Sequence, residues 1–150
     1  MGEIGIVIAD RNSKDIELCT TTLNDIGAKF HFLNNEAVFT KQLQDQTTGL
    51  LVLDGPVVTF NDQEWVNDSL ALAEMEILKQ GLNRDLPILC IGRGFHLLNL
   101  LEGGAKPVNV LSNHLTQKGN EDPRHEHLIF LSPGAKTSAT MGTTGFFKVN

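Results

Sequence analysis

Leu86-Pro87-Ile88-Leu89-Cys90-Ile91-Gly92-Arg93-Gly94-Phe95-His96-Leu97-Leu98-Asn99 decides how this chain is read. Its first half is short, apolar and β-branched, the signature of a strand buried in a parallel sheet. Gly92 and Gly94 then allow a tight turn, and a helical run follows to Gly103-Gly104. Strand, sharp turn and helix in that order make a nucleophile elbow, which lifts one side chain clear of the sheet. The residue at the tip here is Gly92, which has no side chain. The segment has the frame of a catalytic elbow without a nucleophile on it.

Working outward, the same alternation repeats. Ile4–Ala9 reads as a buried parallel strand, followed by the capping turn Asp10-Arg11-Asn12-Ser13 and a helical stripe at Ile16, Cys19, Leu23 and Ile26, with Gly27 as its C-cap. Lys29–Leu33 is a second strand, residues 35–43 a second helix, and Gly49–Leu53 a third strand. Asp54–Asp62 is a loop, and a long helix with Trp65, Leu72, Met75, Ile77 and Leu78 at apolar positions spans about Gln63–Gly81. This order predicts an α/β fold: a three-layer sandwich on a mostly parallel central sheet with right-handed crossovers, of the flavodoxin-like kind. After Ala105 the pattern loosens. Residues 117–126 form a polar loop, His127–Leu131 a strand, Pro133-Gly134 a turn, and Gly145–Val149 a last strand. A strand so close to the final residue points to a C-terminally shortened sheet completed by another chain, or to an ordinary edge strand.

The chain has 150 residues, which suits a single domain over residues 1–150 and a core needing no staple. Its net charge of -6, with no long run of either sign, argues against nucleic acid and against an anionic membrane surface. No apolar run reaches the ~20 residues of a membrane span, and no signal peptide is visible at the N-terminus. Cys19 and Cys90 do not make a disulfide framework, so the expected setting is reducing and cytoplasmic.

The Pro87 segment resembles the class I glutamine amidotransferase superfamily. Within it, the segment is most similar to the peptidase C26 branch of γ-glutamyl hydrolases that includes γ-glutamyl-γ-aminobutyrate hydrolase. That branch carries Pro, a β-branched residue, Leu, Gly, a β-branched residue, Cys, Arg, Gly, then Gln two places on and a later Asn. The resemblance extends to Asp68–Arg84, to Gly103-Gly104, to His127-Leu128-Ile129-Phe130-Leu131-Ser132-Pro133-Gly134 and to Phe147-Lys148-Val149-Asn150. It implies an amidotransferase-like fold and a thiol nucleophile at the elbow. The departures are decisive for activity. The family's Cys falls on Gly92, its preceding Gly on Cys90, and its Gln on His96, while its catalytic His and acidic partner lie past Asn150. Cys90 sits two residues lower on the strand, where an inert buried thiol is expected. In the loop after the third strand Gly55 could offer an oxyanion N–H, but Pro56 has none to give.

The expectation is therefore a catalytically inactive relative that binds or assembles. Its elbow residues Gly92, Arg93 and Gly94, with Gly55 and His96, are candidates to hold a small carboxylate or γ-glutamyl ligand at a helix N-terminus. No catalytic residue, metal or cofactor is assigned. A homo-oligomer, or a protein partner completing the sheet, is expected.

Two alternatives stand beside this. One is half of a split hydrolase or glutaminase completed by another chain. The other is a receiver-like phosphoacceptor. For it, Asp10 and Asp54 would lie at adjacent strand ends, where carboxylates could bind Mg²⁺, and Lys106-Pro107 would follow. Against the receiver stand the single carboxylate before Arg11, the lack of Ser or Thr at the end of the Pro87 strand, and too little chain before Lys106 for a fifth strand. His114, His125 and His127 could suggest a metal, but no cysteine or carboxylate set completes four ligands. His31, between Phe30 and Phe32, reads as a strand residue on an exposed face.

Overall fold

Strand β1 (Glu3–Val7) lies inside a four-stranded sheet, with β2 (Phe30–Leu33) on one side and β3 (Thr47–Val52) on the other. Beyond β3 comes β4 (Ile88–Cys90), giving the order β2-β1-β3-β4, parallel throughout. That order is the flavodoxin-like one. The computed structural model describes residues 2–9, 14–33, 45–55, 69–105 and 127–149. Residues 10–13, with the expected capping turn, 34–44, 56–68 and 106–126, together with Met1 and Asn150, fall outside them. The expected second helix, the start of the long helix with Trp65, and the loop at 117–126 therefore lie outside the described residues.

Alternation along the strands sorts the side chains into two cores. Ile6, Ile8 and Leu53, with Ile4, Phe30 and Leu51, face helix α1 (Lys14–Asp25), which packs Ile16, Cys19 and Leu23 against them. Val7, Leu33, Leu50 and Val52 point to the opposite face. There they meet Ala71, Ile77 and Leu78 of α2 (Ser69–Asn83) and Leu97 of α3 (Arg93–Leu101). Helices thus cover both faces of a parallel sheet. The α1 helix ends where the N–H of Ala28 donates to the Leu23 carbonyl at 2.9 Å. Pro87, which has no N–H, stands just before β4 and still joins the ladder: its carbonyl accepts from the N–H of Leu50 at 2.9 Å.

Residues 1–106 and 107–150 form two compact units. In the second, β5 (His127–Leu131) and β6 (Gly145–Val149) pair antiparallel, Phe130 opposite Phe146 with ring centroids 5.0 Å apart. Between them lies α4 (Lys136–Met141), which the sequence did not suggest. Its Thr and Ser content hides it, and no apolar stripe marks it. Ser138 holds it, donating to the carbonyls of Ser132 at 2.6 Å and Ala135 at 2.9 Å. No described helix is long and apolar enough to cross a membrane.

Candidate functional site

The chain leaves β4 through Ile91, whose N–H donates to the Val52 carbonyl at 2.9 Å, and reverses at Gly92. Gly92 has φ 52° and ψ -115°, a positive-φ backbone that an L side chain adopts at a cost. Helix α3 starts at the next residue, and Phe95 N–H closes its first turn on the Gly92 carbonyl at 3.1 Å. Gly94 lies so close to the end of β3 that an added Cβ would stand 2.7 Å from Val52 Cγ1 and 2.9 Å from the Val52 carbonyl oxygen. Strand, sharp positive-φ turn and helix are the parts of a nucleophile elbow, and all three are present.

The pairing of β3 with β4 brings the end of β3 beside this turn, and Asp54 lies there. Its Oδ1 accepts the N–H of Arg93 at 2.7 Å and the N–H of Gly55 at 2.9 Å. An oxyanion hole is built in this way, from the N–H after the elbow residue and a second N–H from a neighbouring strand's loop. In this chain one oxygen of its own carboxylate takes both donors. The negative charge also meets the positive end of α3. A Cβ placed on Gly92 would run into the Asp54 carboxylate carbon and Oδ1. The carboxylate thus fills the space in which a nucleophile's side chain would stand.

The other candidates are arranged around this contact. The backbone N–H of Arg93 faces the site, but its guanidinium turns into the protein. There Nε and Nη2 both reach Glu74 Oε2 at 2.9 Å, with the two side chains 2% and 1% exposed. Arg93 therefore brings a backbone donor to the site and keeps its charge for the α2–α3 contact. His96 is exposed on α3, its ring edge-on to Phe95 with centroids 6.0 Å apart. Gly55 supplies one N–H of the pair and Gly94 follows the residue that supplies the other, while Pro56 lies outside the described residues.

Cys90 is half-buried in β4, and burial pushes its thiol up to about 11. Desolvation disfavours the thiolate, the form that attacks. Cys19 is shifted in the same direction for the same reason. Alkylation of native Cys90 by iodoacetamide at pH 7.5 is expected to run about a hundredfold slower than in the urea-unfolded chain, and to speed up as pH rises towards 11. Equal rates in the two states, followed by peptide mass mapping, would contradict this. The stability linkage has the same sign: it is present below the unfolded thiol's pKa and is lost as the pH climbs through the folded one.

A second constellation was missed in the sequence. Glu3 Oε2 lies 3.0 Å from His31 Nδ1, and His31 Nε2 lies 3.1 Å from Thr47 Oγ1. The order carboxylate, imidazole, hydroxyl is that of a catalytic relay. Thr47 is buried, however, and its hydroxyl is out of a substrate's reach. The relay ties β1, β2 and β3 together at one end of the sheet. His31, read as facing solvent, is instead largely buried. The signal was present: His31 is two residues from Leu33, so it shares the face of a core side chain.

Asp10 and Lys106-Pro107, on which the receiver reading relies, lie outside the described residues, as do His114 and His125. Among the described residues no group of three or more His, Cys, Asp and Glu could hold a metal ion.

The family profile of peptidase C26 matches residues 60–150, which contain the elbow, α3 and the β5–β6 pair. Comparison with the curated proteins gave no match.

Proposed function

Since the chain belongs to the peptidase C26 family, and so is related to the glutamine amidotransferases and γ-glutamyl hydrolases, we propose that it is a member without hydrolytic activity that serves as a binding or assembly subunit. The observation that carries this is the Asp54 carboxylate on the N–H groups of Arg93 and Gly55, beside an elbow whose tip is Gly92. Hydrolysis through a covalent intermediate needs a nucleophile at that tip and an N–H pair open to the developing oxyanion. Neither is offered: position 92 has no side chain, and the donors already hold a negative oxygen.

Cys90 does not substitute, because burial keeps its thiol protonated at neutral pH. A split hydrolase meets the same obstacle, since a histidine from another chain would find no thiol at position 92 to activate. A small carboxylate or γ-glutamyl group would bind across Gly55, Gly92, Arg93, Gly94 and His96 by exchanging with Asp54 Oδ1. The two free cysteines support a reducing, cytoplasmic setting. Association, with a second copy or another protein, is supported by the two-stranded β5–β6 sheet and its exposed Leu128, Phe130 and Phe146.

The test is release of glutamate or ammonia from glutamine and from γ-glutamyl amides. The wild type and Cys90→Ser are both expected to give the buffer rate. Turnover by the wild type that disappears in Cys90→Ser would overturn the proposal.

A further inference from the structure

We propose that Asp54-Gly55 is a site of self-modification, where the elbow promotes closure of the Asp54 carboxyl onto the Gly55 nitrogen. The product is a cyclic imide that opens to isoaspartate. No partner other than water takes part, and the chemistry is independent of whether the chain hydrolyses any other amide.

Three observations converge on this dipeptide. Asp54-Gly55 is the only Asp-Gly pair in the 150 residues, and no Asn-Gly pair occurs. Glycine matters because the attacking atom is the backbone nitrogen after the aspartate, and a Cβ on that residue crowds its approach. The Gly55 nitrogen also stands 2.9 Å from Asp54 Oδ1, so it already lies against the carboxyl group it attacks. Holding two reacting groups in contact removes much of the entropic cost of bringing them together. Finally, the N–H of Arg93 meets the same Oδ1 at 2.7 Å, at the positive end of α3. When nitrogen adds to the carboxyl carbon, negative charge gathers on Oδ1, where this donor is already aimed.

Atoms and electrons balance with water as the sole co-reactant. Asp54 reacts in its acid form, with the proton on Oδ2. The Gly55 nitrogen gives its proton to water and bonds to Cγ. Its own hydrogen bond to Oδ1 is given up, and the Arg93 N–H holds the charge that develops there. Oδ1 then re-forms its double bond, and the Oδ2 hydroxyl takes a proton back and leaves as water. The imide is lighter than the chain by that one water. A second water adds to either imide carbonyl. Cleavage between nitrogen and Cγ restores aspartate. Cleavage between nitrogen and the former main-chain carbonyl gives isoaspartate, with the backbone running through the old side chain and the mass unchanged. Oδ1 then belongs to a peptide bond, so the start of α3 exchanges a charged acceptor for a neutral one.

The acid form is the one attacked, so the full chain is incubated at pH 5. One sample is folded, and a parallel sample is unfolded in guanidinium chloride, with sodium chloride matching the salt. Isoaspartate at position 54 is quantified by electron-transfer fragmentation of the digested chain. It is expected to accumulate about tenfold faster in the folded chain than in the unfolded one. Asp54→Glu, which would have to close a six-membered ring, is expected to give no isomer there. Gly92→Ala keeps the dipeptide but sets a Cβ against the Asp54 carboxylate. Verified as folded by circular dichroism, this variant is expected to isomerise about as slowly as the unfolded wild type.

A folded wild type that isomerises no faster than the unfolded chain overturns the proposal, because the fold then contributes nothing or protects. So does a folded Gly92→Ala chain that keeps the wild-type rate. If Gly92→Ala does not fold, the wild-type comparison decides alone. Fast isomerisation in a chain that also hydrolyses γ-glutamyl amides would leave the modification standing and remove only the inactive reading. An inert chain that isomerises no faster folded than unfolded would do the reverse.

Discussion

Glu74→Gln is expected to lower the unfolding free energy by about 3–5 kcal/mol. The carboxylate of Glu74 and the guanidinium of Arg93 are almost completely withdrawn from water and meet through two 2.9 Å contacts. Neutralising one partner takes away a charge-assisted contact that holds the other's charge out of water, which costs more than the attraction of an exposed pair ever returns. Arg93→Met should cost a similar amount for the mirror reason. The double change Glu74→Leu with Arg93→Met should recover most of the loss, because no charge is then left to solvate. Urea unfolding of the full chain and its three variants measures this. A loss below about 1 kcal/mol in Glu74→Gln would mean that the pair is solvated rather than buried. The pair also matters to the site, since the residue whose side chain it anchors carries the N–H that holds Asp54.

Gly92→Cys, the substitution that writes the family's nucleophile back into the elbow, is expected to destabilise the fold by about 2–4 kcal/mol and to give no turnover. Two causes add. The backbone at this turn has φ 52°, where any residue with a Cβ pays roughly 1–2 kcal/mol. The new Cβ also meets the Asp54 carboxylate, so either that group or the turn must move. If it moves, Arg93 and Gly55 lose a charged acceptor at the start of α3. A variant as stable as the wild type, or one that releases glutamate, would contradict this.

Much of the fold was legible because its signals are local. The β-branched runs around Ile6, Leu50 and Ile88 gave the strands, and their alternation with helical stripes gave the parallel order. The glycines around Arg93 gave the elbow. What was not legible depends on contacts between distant parts of the chain. Nothing local to Asp54 says that its carboxylate lies on a turn 39 residues later. Arg93 was a candidate through its place at a helix N-terminus, and only packing against α2 shows that its side chain turns away to meet Glu74. Helix α4 escaped because Ser138, not an apolar stripe, holds it. His31 was misread because its aromatic neighbours outweighed the two-residue period that links it to Leu33.

The Asp54 carboxylate stands where a nucleophile would be. Its most direct test is a double-mutant cycle between positions 54 and 92, read by urea unfolding. Asp54→Ala alone should cost about 1 kcal/mol, the loss of a capping acceptor. In that background Gly92→Cys should cost only its backbone strain, so the two changes should couple by about 1–3 kcal/mol. A Gly92→Cys cost that is the same with and without the Asp54 carboxylate would show that the space at the elbow is not filled by it.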